Sequence, residues 1–581
     1  MKTISRFKNK RERRVFKEES IDLNNPDIEI KRKRVVAKKV FHEFCDSSTI
    51  HGLKYLGTRP THEKIWWIAV FSVSLCICGF QIKTIWNKWD QNPVIVSFNE
   101  NLITISEINF PAVTICHQNR VRKSHFNYGN VFKSIMEKGL TVSKSEFSES
   151  EMKLFELIAQ TCIKDGNQDD MRKLVKNFVN KTFDLNPKLM EDAAPVLNET
   201  LIFCAAVLVE KRWACQLGFG RILTEEGVCY TFNLLNKTEL LRDGFSFNFD
   251  ENFPPSAANW SFDMKSIKPE DPQYTFNNPF YPFRIFTTGQ KLIVYLASNT
   301  AEDLDESCPG YGERFRVFIH GPDEIPWHLH HYYDIDIKTY TTLSVTPQIV
   351  MATDRMETAY SPEKRRCYFD GEKTLKYFKR YTKKNCELEC FVNITQSLCN
   401  CTRFNFPRDP NTRICGLSDY ICVSRDATYN LHKETASASL NSTYQGRFKC
   451  NCWAGCRSIQ YEAQVREAKL FDNQRRIVKI QVVDKTGKVE NRSVLYDVTK
   501  LYVTFKDSEF FAMKRSELYG LTDFIANCGG LLGLFMGVSL LSFVEIIYFF
   551  AVRLVMGIFN RHKTVMEVID EEKAEEDETQ N

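Results

Sequence analysis

Two stretches of the chain avoid charge for longer than a buried strand or short core helix requires. The first, "IWWIAVFSVSLCICGFQI", runs from Ile65 to Ile82 between Lys64 and Lys83. The second runs from Phe524 to Val552 between Asp523 and Arg553, with Glu545 as its only charge. A spanning helix needs about 20 apolar residues. The first run is slightly short, but its flanking lysines can snorkel and Trp66 and Trp67 suit a membrane interface. Both runs are therefore expected to span. Between them the periodicity changes. "RFRVFIHGP" (314–322), "RIVKIQVV" (476–483) and "KLYVTFKD" (500–507) alternate as strands do. "SEMKLFELIAQTCI" (150–163) and "DDMRKLVKNFVNKTF" (169–183) space their apolar residues as helices do. The pattern predicts an α+β membrane protein with a head at 1–64, a span at 65–85, a large mixed domain at 86–520, a second span at 521–552 and a tail at 553–581.

Charge and cysteine usage orient this arrangement. Two spans put both termini on one side, and residues 1–64 carry 17 Lys and Arg, including "NKRERR" and "KRKR". The positive-inside rule places that side in the cytoplasm. "KRKR" also reads as a nuclear signal, but beside a membrane span attraction to lipid headgroups is the better reading. Eight Asn-X-Ser/Thr sequons, at Asn180, Asn198, Asn236, Asn259, Asn393, Asn400, Asn441 and Asn491, all fall between the spans. Sixteen of the 20 cysteines lie between Cys116 and Cys456, a density that indicates an oxidising compartment. The 64 mostly polar residues before the first span argue against a cleaved signal peptide. A net charge of +5 is too balanced for nucleic acid to be the main partner. "EEKAEEDETQ" near the C-terminus reads as a solvated tail, and no internal repeat is found.

The candidate chemistry is sparse. Ten cysteines between Cys367 and Cys456 come in close pairs such as "CELEC" and "CNCWAGC". Zinc would need reduced thiolates, and the interleaved sequons favour disulfides. In "WHLHHYYD" (327–334), His328 and His330 would share one face of a strand with Asp334. That set is a weak metal candidate, and an exposed polar strand or loop is the plainer reading. No Gly-rich phosphate loop, Gly-X-Ser-X-Gly elbow or His-Glu-X-X-His motif is present, so an enzyme is not expected, nor is a cofactor. Glu545 remains, since a charge at membrane depth usually faces a protein interior or a water path. Gly529, Gly530, Gly533 and Gly537 nearby have the small-residue spacing that permits close helix approach.

"STIHGLKYLG" (48–57), "FPAVTIC" (110–116), "GVCYTFN" (227–233), "VFIHGPDEIP" (317–326), "SPEKRRC" (361–367), "NCELEC" (385–390) and "GGLLGLFMGVSLLSFVE" (529–545) occur in that order. Together they resemble the degenerin/epithelial sodium channel family, and the overall style is similar to its insect pickpocket subgroup. The resemblance implies a homo- or heterotrimeric, sodium-preferring and amiloride-sensitive channel of the plasma membrane. It implies a selectivity filter at Gly537, Val538 and Ser539, and an outer gate at Asn527, Gly530 and Leu534 with Ala526 beside it. It further implies a blocker position at Gly533, a cytoplasmic gating motif at His51 and Gly52, and a role in conductance for Glu545, as an acidic ring or in intersubunit hydrogen bonds. Asn527 and Tyr548 replace acidic residues of the acid-sensing members, so conductance and proton gating do not carry over, and Lys364 replaces a coupling Trp, so the details of coupling do not either. The implied disulfides are Cys116–Cys229, Cys204–Cys215, Cys367–Cys456, Cys386–Cys452, Cys390–Cys450, Cys399–Cys422 and Cys401–Cys415, with the remaining Cys162 and Cys308 paired together. Two other classes stay open from residues alone. One is a two-pass receptor or adhesion protein; the other is a tethered ectoenzyme, for which no catalytic constellation is found. The opening stimulus is not legible.

Overall fold

A computed structural model describes residues 26–57, 60–91, 94–117, 119–162, 168–178, 183–208, 211–213, 218–247, 282–285, 287–298, 304–308, 314–440, 447–448, 450–470, 476–483, 489–518 and 520–559. The chain divides into two compact units, Ile95–Ser516 and a second made from Met1–Val94 with Glu517–Asn581.

The larger unit mixes helices and strands around two sheets. The nine-stranded sheet runs Val94–Phe98, Ala512–Glu517, Thr339–Ala352, Val489–Phe505, Lys291–Ser298, Leu201–Leu208, Lys211–Trp213. Off that path, Ser458–Lys469 pairs with Thr339–Ala352, and Arg476–Val483 pairs with Val489–Phe505. Thr339–Ala352 is the organising strand. Its first half lies parallel to Val489–Phe505 and its last residues parallel to Ala512–Glu517. The five-stranded sheet has the order Tyr332–Asp336, Arg314–His320, Ala112–Cys116, Gly227–Phe232, Phe219–Thr224. Every position of Ala112–Cys116 and Gly227–Phe232 is buried. These strands are covered on both faces, which is why "FPAVTIC" reads as a continuous apolar run rather than an alternation. One core, with Phe110, Val113, Val294, Phe315, Leu343 and Val503 at its centre, joins residues of both sheets. A second, helical core packs Tyr128, Phe155 and Phe178 as stacked rings.

A third core, around Trp327, Tyr377, Phe391 and Phe406, contains the cysteine-rich segment. Its main helix, Lys383–Cys399, starts at Thr382, whose hydroxyl accepts from the Asn385 N–H, and stops at Asn400 in the left-handed region. Cys386 and Cys390, one turn apart, share a helix face. They bond Cys452 and Cys450, which lie two apart in a tight turn where the Cys452 N–H donates to the Cys450 carbonyl (3.0 Å). Cys367–Cys456 closes outside them, and Cys399–Cys422 and Cys401–Cys415 close within. Cys116–Cys229 joins facing positions of neighbouring strands, and Cys162–Cys308 ties the end of helix Glu149–Cys162 to a loop. Cys204 is also disulfide-bonded, but Cys215 lies outside the described residues. Asn393 and Asn400 are exposed and Asn236 is half-buried. Asn180, Asn259 and Asn441, and the side chains of Asn198 and Asn491, lie outside the described residues.

In the smaller unit, helix Pro26–Ser47 and the turn Lys54–Gly57 precede helix Thr61–Gln91. The last is long and apolar enough to cross a membrane, and it leaves Trp66 67% and Phe80 70% exposed. The second apolar stretch, expected as one helix over 521–552, is instead two helices, Leu521–Met536 and Leu540–Ile547, the latter prolonged to Met556 at a bend of 72°.

Candidate pore site

The bend lies at Gly537-Val538-Ser539. Gly537 has φ +66°, and its N–H donates to the Gly533 carbonyl (2.9 Å) while the Val538 N–H donates to Leu532 (3.3 Å). This is the αL ending that glycine supplies without a Cβ penalty. Ser539 starts the next helix: its Oγ accepts from the Ser542 N–H (3.3 Å), and the Ser542 Oγ accepts from the Ser539 N–H (3.0 Å). The sequence thus writes a stop and a start one residue apart.

The segment containing the His-Gly motif is stapled to this break. The His51 N–H donates to the Met536 carbonyl at 2.8 Å. The His51 ring fills the space that a Cβ on Gly537 would need, and Gly52 itself has φ +91°. Thr49 is the second staple. Its Oγ1 lies 2.8 Å from Ser542 Oγ and donates to Glu545 Oε2 at 3.1 Å, while its N–H donates to the same oxygen at 3.2 Å. Glu545 is therefore held by the chain's own pre-helix segment through hydrogen bonds to its carboxylate. Val36, Val40, Phe44 and Ile50 pack with Phe549, and Arg553 pairs with Glu43 at 2.6 Å. Thr49, Ser542, Glu43 and Arg553 escaped sequence reasoning. For Thr49 the available signal was a hydroxyl inside the quoted "STIHGLKYLG".

Ala526, Asn527, Gly530, Gly533 and Leu534 lie exposed on the first half-helix, Leu534 at 79%. Among the described residues beyond the helix's own backbone, none comes within 4 Å of a Cβ placed on Gly530, and at Gly533 the Val538 carbonyl lies at 3.9 Å.

The histidine run does not assemble as a metal set. His328 Nδ1 meets Glu225 (3.0 Å), His330 Nε2 meets Glu324 (3.2 Å), and Asp334 takes both Nε and Nη2 of Arg316 (2.7 and 3.0 Å). Cys401, Cys415 and Asp419 do lie together, but the two sulfurs are bonded to each other. In "VFIHGPDEIP", His320 is fully inside. Its Nδ1–H donates to the Gly321 carbonyl and its Nε2 accepts from Thr114, whose oxygen lies 2.8 Å from Thr231. Burial, and then the neighbouring His330, push its pKa down to about 3. Asp323 beside it is pushed up to about 7 by burial and by the Glu324 charge.

A long apolar helix, a second helix broken at Gly-Val-Ser and a disulfide-rich unit between them are the parts of a membrane channel subunit. Residues 44–549 match the family described as amiloride-sensitive sodium channel, and the chain belongs to that family, the degenerin/epithelial sodium channels. It is 27% identical over 531 residues to pickpocket protein 28 of Drosophila melanogaster, covering 90% of this chain and 79% of that one. It is 23% identical to sodium channel protein Nach of the same fly, covering 89% and 87%. It is 21% identical to the bile acid-sensitive ion channel of Mus musculus, covering 88% of each. The family is one of ion channels rather than enzymes.

Proposed function

We propose that the chain is one of three subunits of a plasma-membrane, sodium-preferring channel, with both termini cytoplasmic and residues 86–520 extracellular. The observation that carries this reading is the Gly537-Val538-Ser539 break, held open by hydrogen bonds from the His51 segment. A break at membrane depth is tolerated where backbone is buried in protein or lines a water-filled cavity. Three copies around an axis would present small residues, carbonyls and hydroxyls to a partly dehydrated cation. In this reading Gly537, Val538 and Ser539 form the filter, and Asn527, Gly530 and Leu534 form the gate. Gly533 lines the amiloride site, His51 and Gly52 set gating from below, and Glu545 tunes conductance. The stimulus is extracellular or mechanical. Purified protein in planar bilayers tests it. The expected result is a current that reverses near the sodium equilibrium potential and falls with amiloride; silence in the presence of folded protein would remove the reading in favour of a two-pass receptor.

A further inference from the structure

Of the sequons between the spans, one contains a cysteine. Asn400-Cys401-Thr402 sends its middle residue into the Cys401–Cys415 bridge, whereas Asn393-Ile394-Thr395, earlier on helix Lys383–Cys399, has no thiol. The fold splits the first motif in two. Asn400 ends the helix at φ +53°, its N–H donating to the Gln396 carbonyl at 3.1 Å, and it lies exposed. Thr402 is 0% exposed. Its Oγ1 accepts from Gln396 Nε2 (3.1 Å), its N–H donates to the Arg413 carbonyl (3.0 Å), and its carbonyl accepts from the Cys415 N–H (2.9 Å). Closing Cys401 on Cys415 therefore lays Thr402 along 413–415 and encloses its hydroxyl. A glycan acceptor is defined by the Asn amide together with that hydroxyl. A sugar already on Asn400 leaves the closed loop undisturbed, but the closed loop hides half of the acceptor. The two modifications are compatible in one order only.

The time allowed for that order is short. Cys415 follows Cys401 by 14 residues, about 1–3 s at roughly 5–20 residues per second of synthesis. At Asn393 the corresponding Thr395 is also buried, its hydroxyl donating to the Phe391 carbonyl at 2.7 Å. That enclosure waits for the helix to pack, since a helix draws most of its stability from packing rather than propensity. The helix is pinned through Cys386 and Cys390, whose partners come 66 and 60 residues later, about 3–13 s at the same rate.

We propose that Asn400 is a glycan acceptor whose occupancy is decided by a race against Cys401–Cys415 closure, while Asn393 is filled regardless. The inference rests on the extracellular placement of 86–520 proposed above. In one branch Asn400 Nδ2 bonds to C1 of the first sugar of a lipid-linked pyrophosphate oligosaccharide. The C1–O bond to pyrophosphate breaks, the lipid pyrophosphate leaves, and the amide gives up one proton. In the other branch the two thiols pass two protons and two electrons to the disulfide of a lumenal oxidoreductase, whose S–S bond breaks as theirs forms. The chain thus leaves the secretory pathway as two glycoforms, and their ratio records how oxidising the lumen was.

The test is site occupancy in the full-length chain made in insect cells. Glycans are released enzymatically in heavy-oxygen water, which turns each occupied Asn into a labelled Asp, and peptides are counted by mass spectrometry. Total protein is sampled, so a variant that fails to fold still reports. The expected result is near-complete occupancy at Asn393 and partial occupancy at Asn400. Cys401→Ser, which keeps the Asn-X-Thr motif, Cys415→Ser, and a dithiol reductant during wild-type synthesis should each raise Asn400 occupancy by about twofold or more, as removal of a competing closure implies. Asn393 should not move. With Asn393 occupied, an Asn400 that is full in the wild type, empty throughout, or insensitive to all three treatments overturns the race and leaves the topology standing. An empty sequon at every position of 86–520 overturns both.

Discussion

At Gly537 two constraints meet, a left-handed backbone and an imidazole where a side chain would go. Gly537→Ala must strain φ and displace His51 together, so it should disturb both cation preference and the His51 staple. Ser539→Ala removes one hydroxyl and one cap, worth about 0.5–2 kcal/mol. Both should move the reversal potential in mixed sodium and potassium, whereas Glu545→Gln should alter single-channel current with preference largely kept. An unmoved reversal potential for the first two would reassign the filter. Thr49 extends the same reasoning. Its hydroxyl and N–H both serve Glu545, and a hydrogen bond to a charged group is worth about 1.5–3 kcal/mol. Thr49→Val should therefore change gating or conductance in the same direction as Glu545→Gln, while Thr49→Ser stays near wild type. Opposite signs for Thr49→Val and Glu545→Gln would disconnect them.

Between elements, Glu156 is the most exposed to test. It lies wholly buried on helix Glu149–Cys162, accepts from the Leu417 N–H at 2.8 Å and leaves Oε2 without a partner among the described residues. Burial raises its pKa to about 7. A folded pKa above the unfolded value means the folded chain holds the proton more tightly, so this group costs stability as pH rises from about 4.5 through 7. Glu156→Gln keeps the acceptor without the charge. It should raise the unfolding midpoint at pH 8, a gain of order 1–3 kcal/mol, and give none below about pH 4.5. A gain independent of pH would show that charge is not the cause. On the first half-helix, Ala526 is exposed, and Ala526→Val adds bulk where three such helices would pack closely. Resting current should rise, and unchanged basal current would count against a gate there. The elements themselves were largely legible. The strands at 314–320 and 476–483 and the helix at 149–162 follow local periodicity, which a short window of sequence contains. The Glu225–Arg403 and Glu226–Arg316 pairs were not legible, because they join residues far apart in sequence through a buried turn that no local pattern marks. The break in the second apolar stretch lay between these cases. Its residues were evident from resemblance, but an unbroken apolar run gives no measure of a 72° bend, nor of the His51 segment bonded beside it.

For the whole molecule, the apolar faces of Thr61–Gln91 and Leu521–Met536 are left exposed by the described residues, as lipid and sister subunits would require. Single-molecule bleaching of a fluorescently tagged chain should give three steps per spot; a maximum of one or two would exclude the trimer. The nested bridges have a consequence of another kind, in time. Cys367 must wait for Cys456, 89 residues later, and Cys386 and Cys390 for Cys452 and Cys450. At roughly 5–20 residues per second of synthesis, about 5–20 s pass in which early thiols face each other without their partners. The short loops Cys401–Cys415 and Cys399–Cys422 can close inside that interval, and they remove four competitors before the outer rungs arrive. Maturation then proceeds from the centre of the ladder outward. Slower oxidation of this one segment in the secretory pathway should accordingly lower the number of channels that reach the cell surface.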